Sequence, residues 1–316
     1  VSPILSNILL NKLDSYVETV LIPQHSRGVK RRVNPEYESL MVNSSQHKRR
    51  GNTQRARELR QQAQTLPSMD VNDPGYRRLK YVRYADDFLL GFNGPKSEAE
   101  ELKQQLRKFL QEELKLELSE AKTLITHARS EAARFLGYEI STMQEDRKRS
   151  MTRKGTDRRS ANGRIGLRVP RDVREEKEKR YKRQGKGRHR TELIQESDYA
   201  IILTYQLEFR GIANYYQLAH NVSSLGKLKW VMDISLRKTL AAKHKMSVAK
   251  VSKRYRAEIV RDGKKYKGLQ AKVPRPGKEP LVSTWGGVPL RQNMEATLNE
   301  RPPRLYSGSR SELVQR

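Results

Sequence analysis

"YVRYADDFLLGF", residues 81–92, sets two adjacent aspartates inside an apolar and aromatic run. Side chains alternate across a strand, so Tyr81, Val82, Arg83 and Tyr84, then Phe88, Leu89 and Leu90, read as two strands joined at Asp86-Asp87. The carboxylates are therefore expected at a hairpin tip. Two aspartates there suit a divalent cation, because Mg2+ prefers carboxylate oxygens plus substrate phosphates and a rigid hairpin fixes the spacing. Aspartate also favours turns for its own hydrogen bonding, and the tetrapeptide alone leaves both readings open.

The flanks read as helices. In "VSPILSNILLNKLDSYVETV", Ser2 is an expected N-cap with Pro3 at the first helical position, and Ile4, Leu5, Ile8, Leu9, Leu13, Tyr16 and Val17 form one apolar stripe. Residues 25–75 are polar, basic and turn-rich, which predicts a surface insertion carrying one short helix near 53–64. After the hairpin, Ser97 with Glu100 predicts a capping box, and Leu102, Leu106, Phe109, Leu110 and Leu114 a buried stripe. "LELS", "KTLIT" and "ARFLGYEI" read as strands or strand ends. Helix, hairpin, helix and short strands predict an α+β architecture with an antiparallel sheet.

Composition narrows the partners. Of 316 residues only 35% are hydrophobic, and 65 Lys and Arg against 36 Asp and Glu give a formal charge of +29. Self-repulsion of that size is offset most simply by a polyanion, and nucleic acid is the economical choice. No apolar run approaches the roughly 18 residues that cross a bilayer, so no membrane partner is expected. With no cysteine, disulfides and thiolate zinc sites are excluded, and the six histidines include no pair at metal-ligand spacing with a carboxylate.

From about residue 145 the chain becomes dense in Arg and Lys, which predicts a domain boundary. Beyond it, "ESDYAIILTYQLEFRGIANYYQLAH" and "SSLGKLKWVMDISLRKTLAAKHKMSVAKVSKRYRAEI" have helical spacing, with breaks near Asn221–Gly226 and His244–Ser247. The tail from Lys264, with "VPRPGKEP" and "TWGG", reads as turn-rich linker or irregular module. Three segments are thus expected: 1–145, a helical 146–263, and 264–316.

The order of these motifs resembles the second half of a reverse-transcriptase palm of the group II intron type. "VSPILSNILLNKLD" resembles the segment that enters a palm helix, "YADD" the catalytic hairpin, "LELSEAKTLIT" the lysine-bearing motif, and "FLGYEI" the primer-grip strand. "YQLEFRGIANYY" and "LKWVMDISLRKTLAAKHKMS" resemble the thumb and maturase region, often called domain X. The resemblance covers nearly the whole chain. It implies a partial palm, an antiparallel sheet with helices, followed by a mainly α-helical thumb and maturase domain.

It also implies roles. Asp86 would be a direct Mg2+ ligand in nucleotidyl transfer, with Asp87 assisting, and Lys122 would lie near the triphosphate. Tyr84 and Ala85 would shape the turn beside the primer end, and Phe135, Leu136, Gly137 and Tyr138 would support the primer backbone. Arg210, Tyr215, Lys238, Lys243, His244 and Lys245 would contact RNA, with one of Tyr215 and Tyr216 assigned to the core. The implied partners are group II intron RNA, a DNA target and primer, deoxynucleoside triphosphates, and an N-terminal reverse-transcriptase segment carrying a further catalytic aspartate. On this reading the chain is a piece of a larger RNA-directed DNA polymerase and intron maturase, inactive alone, acting in bacterial cytoplasm or an organelle. The rivals are a non-catalytic maturase acting only in splicing and a reverse transcriptase of another type.

Overall fold

A computed structural model of the chain describes residues 3–143, 149–151, 157–159, 162–261 and 263–293. Ser2, expected as an N-cap, and the end of the tail lie outside them. The chain divides into two compact units, residues 1–136 and 137–316, so the compositional change near 145 falls inside the second. Both units mix helix with antiparallel sheet.

In the first unit, helix α1 (Pro3–Tyr16) runs through a π-helical segment, Val17–Leu21, into a last turn, Ile22–Gln24. Pro23 has no N–H to give to the helical ladder, and the wider winding falls just before it. The apolar stripe of α1 is split: Leu13 and Val17 are buried, while Ile4, Leu5 and Ile8 are exposed at 71%, 60% and 65%.

The insertion holds two helices, not one. α2 (Pro35–Arg49) and α3 (Thr53–Thr65) form an αα-hairpin, each capped by an asparagine: Asn34 Oδ1 accepts from Glu36 N and Asn52 Oδ1 from Arg55 N, both at 3.1 Å. Their interface is built from small groups. Ser44 donates to Ala56 O at 2.7 Å, and Ala56, Leu59 and Ala63 are buried. Composition hides α2, because a helix packed on alanines needs few apolar residues of its own.

The aspartate hairpin joins β1 (Arg78–Tyr84) to β2 (Asp87–Asn93) in register Tyr84↔Asp87. Helix α4 (Lys96–Glu113) follows and buries Leu102, Leu106 and Leu110 against Leu13, Val17, Leu21 and Leu79. Tyr16 stacks on Phe109 with centroids 4.0 Å apart. The expected capping box is absent: Pro95 is the N-cap with no side-chain cap, Ser97 is already inside the helix, and Glu100 pairs with Lys96. "LELS" and "KTLIT" are not strands. A strand needs a ladder partner; here the segment is tied to α4 by Leu116 N to Leu110 O at 2.9 Å and by Lys103 Nζ to Thr123 O at 2.5 Å. β3 (Ala133–Phe135) closes the unit.

In the second unit β4 (Tyr138–Thr142) pairs with β5 (Ile165–Arg168), and helix α5 (Arg171–Lys179) follows. The core lies between α6 (Asp198–Tyr215), α7 (Gly226–Lys243) and a sheet. A short 3-10 turn, Val222–Leu225, precedes α7, and Ser247 caps α8 (Val248–Arg254).

That sheet is β6 (Arg256–Arg261), β7 (Lys264–Arg275) and β8 (Lys278–Trp285), paired in that order; the tail expected to be irregular contributes β7 and β8, and β6 begins within "RYRAEI", expected to be helical. Its prolines sit where a sheet tolerates them, Pro274 at a register shift and Pro280 on an edge strand. Pro276-Gly277 makes the tight turn, with Gly277 at φ +66°. Trp285 is 2% exposed, donates to Asp233 Oδ1 at 2.8 Å and packs edge-on against Tyr205 and Phe209. Gln206 clasps Gly286 with both amide atoms, at 3.1 and 2.9 Å.

Candidate active site and nucleic-acid interface

The hairpin tip presents two carboxylates side by side. Ala85 and Asp86 form the turn and Asp87 opens β2, one residue earlier than the join expected from sequence. Asp86, Asp87, Ala85 and Tyr84 are all exposed, Tyr84 at 67%. Ala85 has φ +55°, a left-handed conformation uncommon for a residue with a Cβ. Among the described residues no cluster of three His, Asp or Glu side chains could hold a metal. Two exposed oxygen donors do suit a Mg2+ ion that takes its remaining ligands from phosphates and water.

What steadies the tip was not anticipated. On β1 the odd positions face α1 and the even positions face out: Tyr81 and Arg83 turn inward, Val82 and Tyr84 outward. Arg83 grips Asp14 with Nε to Oδ1 at 2.7 Å and Nη2 to Oδ2 at 2.6 Å. Tyr81 adds a 2.8 Å hydrogen bond to Asp14 Oδ1. Arg83 holds the Asp14 carboxyl below the usual carboxylate range, against the opposing effect of burial. The sequence signal was an arginine on the inward-facing side of β1, two positions before the turn.

Lys122 is exposed in a turn whose N–H donates to Ser119 O at 3.3 Å, not at a strand end. Phe135 and Leu136 are half-buried; Leu136 has φ +47° and Gly137 φ +71°. In the second unit Tyr216 donates to Gly137 O at 3.0 Å, and Tyr138 donates to Tyr215 O. Tyr138 packs on both, with centroids 5.8 and 5.1 Å away. Burial pushes the Tyr138 hydroxyl up to about 12. Tyr216 is the core tyrosine, while Tyr215 is 54% exposed; Arg210 is exposed too.

The basic cluster at the end of α7 is partly spoken for. Lys238 Nζ donates to Gly187 O at 2.7 Å, and Lys243 lies 3.2 Å from Asp198. His244, expected to contact RNA, is 2.8 Å from Asp198 and 3.0 Å from the Tyr255 hydroxyl. Lys245 remains exposed. The basic run of the insertion, Lys48, Arg49 and Arg50, is exposed at the α2–α3 tip, and Trp230 on α7, which no sequence reading singled out, is 63% exposed. Among the described residues no helix is long and apolar enough to cross a membrane.

The sequence matches the family described as Reverse transcriptase (RNA-dependent DNA polymerase) over residues 41–140 and that described as Type II intron maturase over residues 174–280. It is 36% identical over 265 residues to the Group II intron-encoded protein LtrA of Lactococcus lactis subsp. cremoris, covering 79% of this chain and 43% of that protein. It is 33% identical over 290 residues to the Putative COX1/OXI3 intron 1 protein of Saccharomyces cerevisiae, covering 87% of this chain and 34% of that one. Protein YkfC of Escherichia coli is 33% identical over 140 residues, 44% of this chain and 30% of that protein. The chain therefore spans less than half the length of each of these relatives.

Proposed function

Since this chain belongs to the group II intron-encoded reverse transcriptases and maturases, we propose that it carries the aspartate hairpin of an RNA-directed DNA polymerase together with the region that holds intron RNA. The first unit is the later part of the palm, and the second is the thumb and maturase region. The observation that carries this reading is the YADD turn, with both carboxylates exposed on a hairpin packed against two helices.

Asp86 and Asp87 would hold Mg2+, joined by an aspartate from a preceding palm strand. The ion, when bound, supplies Lewis-acid stabilisation of the phosphoryl charge and activation of the attacking oxygen. The reaction joins the primer 3′-oxygen to the α-phosphorus of a deoxynucleoside triphosphate and releases pyrophosphate. Tyr84 and Ala85 border the primer end, Lys122 supplies positive charge to the triphosphate, and Phe135, Leu136, Gly137 and Tyr138 support the primer strand. Arg210, Tyr215 and Lys245 are the exposed members of the RNA-contacting set. Lys238, Lys243 and His244 act mainly by shaping the α7 end that presents it.

As a maturase the protein binds its intron RNA, assists splicing and copies the intron at a DNA target. It does so in bacterial cytoplasm or an organelle, wherever that RNA is made. The test uses the full open reading frame that carries this chain, with splicing of its intron RNA and competition by a scrambled RNA of equal length at matched salt. Intron RNA is expected to win the competition and to splice faster with protein, and Asp86→Ala is expected to leave both intact. Equal competition would remove specific intron recognition and leave only nonspecific binding.

A further inference from the structure

The Arg83 guanidinium reaches in two directions. Besides its two bonds to Asp14, Nη1 donates to Asn7 Oδ1 at 2.9 Å and to the Ala85 carbonyl at 2.5 Å. Four donor contacts from one planar group thus tie α1 to the hairpin turn, with the arginine side chain only 12% exposed. Ala85 is the residue held at φ +55°, directly before Asp86. Its carbonyl direction sets the peptide plane from which Asp86 starts.

The geometry points to Arg83 as a positioning residue for the metal-holding carboxylates: anchored by Asp14 and Asn7, it fixes the Ala85 peptide in its left-handed conformation and so aims Asp86 and Asp87. Charge-assisted, forked contacts of this kind add angular precision that a single ammonium cannot give, because lysine presents a point charge rather than a planar fork. The turn needs such a device, since alanine resists φ above zero while glycine adopts it freely. Both oxygens of Asp14 are engaged by the hairpin: Oδ1 accepts from Tyr81 and from Arg83 Nε, and Oδ2 from Arg83 Nη2. Its part is to orient the guanidinium.

This inference rests on the polymerase reading, and the test separates the two. Primer extension is measured with the full open reading frame carrying this chain, for the parent, Asp86→Ala, Arg83→Lys and Asp14→Asn. Each is titrated with Mg2+, with thermal melting as a check on folding. Arg83→Lys is expected to raise the Mg2+ concentration for half-maximal rate and to lower kcat, each about tenfold, equivalent to ~1.4 kcal/mol. KM for template–primer should change less than about twofold. Adding Ala85→Gly to Arg83→Lys should recover a large part of that loss, because glycine takes the turn conformation without the arginine.

A purely architectural Arg83 would show neither the Mg2+ shift nor the glycine rescue. An unchanged Mg2+ requirement in a folded Arg83→Lys protein, with Asp86→Ala inactive, overturns the positioning role alone. If Arg83→Lys folds poorly, Asp14→Asn, which keeps the shape and removes the charge, carries the same expectation and the same refutation. Full activity in Asp86→Ala overturns the polymerase reading itself.

Discussion

Tyr255 donates a 2.5 Å hydrogen bond to Oδ2 of Asp198, 57 residues earlier in the chain. His244 approaches the other oxygen of the same carboxylate at 2.8 Å, and Lys243 lies 3.2 Å from it. One carboxylate at the start of α6 therefore holds the end of α7 and the residue that closes α8.

That latch should titrate. Burial alone would raise the Asp198 carboxyl, but hydrogen bonds from Tyr255, His244 and Lys243 outweigh it and hold it below the ordinary value. A depressed folded pKa means that the stabilisation is fully present above the unfolded value of about 3.9 and is lost as pH falls through the folded one. Asp198→Asn is expected to destabilise the protein by about 1–2 kcal/mol at pH 7, a figure moderated by partial solvent access. Thermal melts should show the gap to the parent closing toward pH 3. A gap of equal size at both pH values would contradict the assignment.

The two tryptophans should behave oppositely. Trp285 is buried against Tyr205 and Phe209, whereas Trp230 is 63% exposed. Phe209→Ala should cost about 3–5 kcal/mol in denaturant unfolding, and Trp230→Phe should stay within about 0.5 kcal/mol. A larger effect at Trp230 than at Phe209 would mean the core has been placed wrongly.

Gly137 combines φ +71° with a crowded neighbourhood, since an added Cβ would stand 3.3 Å from the Tyr215 hydroxyl oxygen. Gly137→Ala is expected to destabilise by about 1–3 kcal/mol, measured by denaturant midpoint, through backbone strain and loss of the Tyr216 contact. A neutral substitution would show that the turn relaxes freely.

The αα-hairpin tip predicts a salt effect. Lys48, Arg49 and Arg50 are exposed and point to phosphate contacts. Replacing all three with serine should weaken RNA binding about equally for all sequences and flatten the slope of log K against log salt by about 2–3. An unchanged slope would remove the tip from the RNA surface.

What the sequence made legible follows the range of the interactions. The stripe Leu102, Leu106 and Leu110 repeats at helical spacing, and the aspartate turn interrupts an apolar run, so both are local patterns. α2 stayed hidden because it packs through its own Ser44 on Ala56, Leu59 and Ala63 of the next helix and needs few apolar residues itself. The Ser97–Glu100 pattern misled because Pro95 already starts α4 two residues earlier. β7 and β8 were discounted for prolines that lie at a register shift and on an edge. Of the candidate site, the aspartates could be named from sequence alone. The Arg83 grip on Asp14 could not, because it depends on packing between residues 69 apart.

The central claim is that Asp86 ligates the ion serving nucleotidyl transfer, and a metal-specificity switch tests it most directly. The chain has no cysteine, so Asp86→Cys introduces a single thiol among its residues. A soft thiolate binds Mg2+ poorly and Mn2+ or Cd2+ better. Single-nucleotide incorporation by the full open reading frame should collapse in Mg2+ and return, at least in part, when the thiophilic ion is added. Undiminished incorporation by Asp86→Cys in Mg2+ alone would contradict the account.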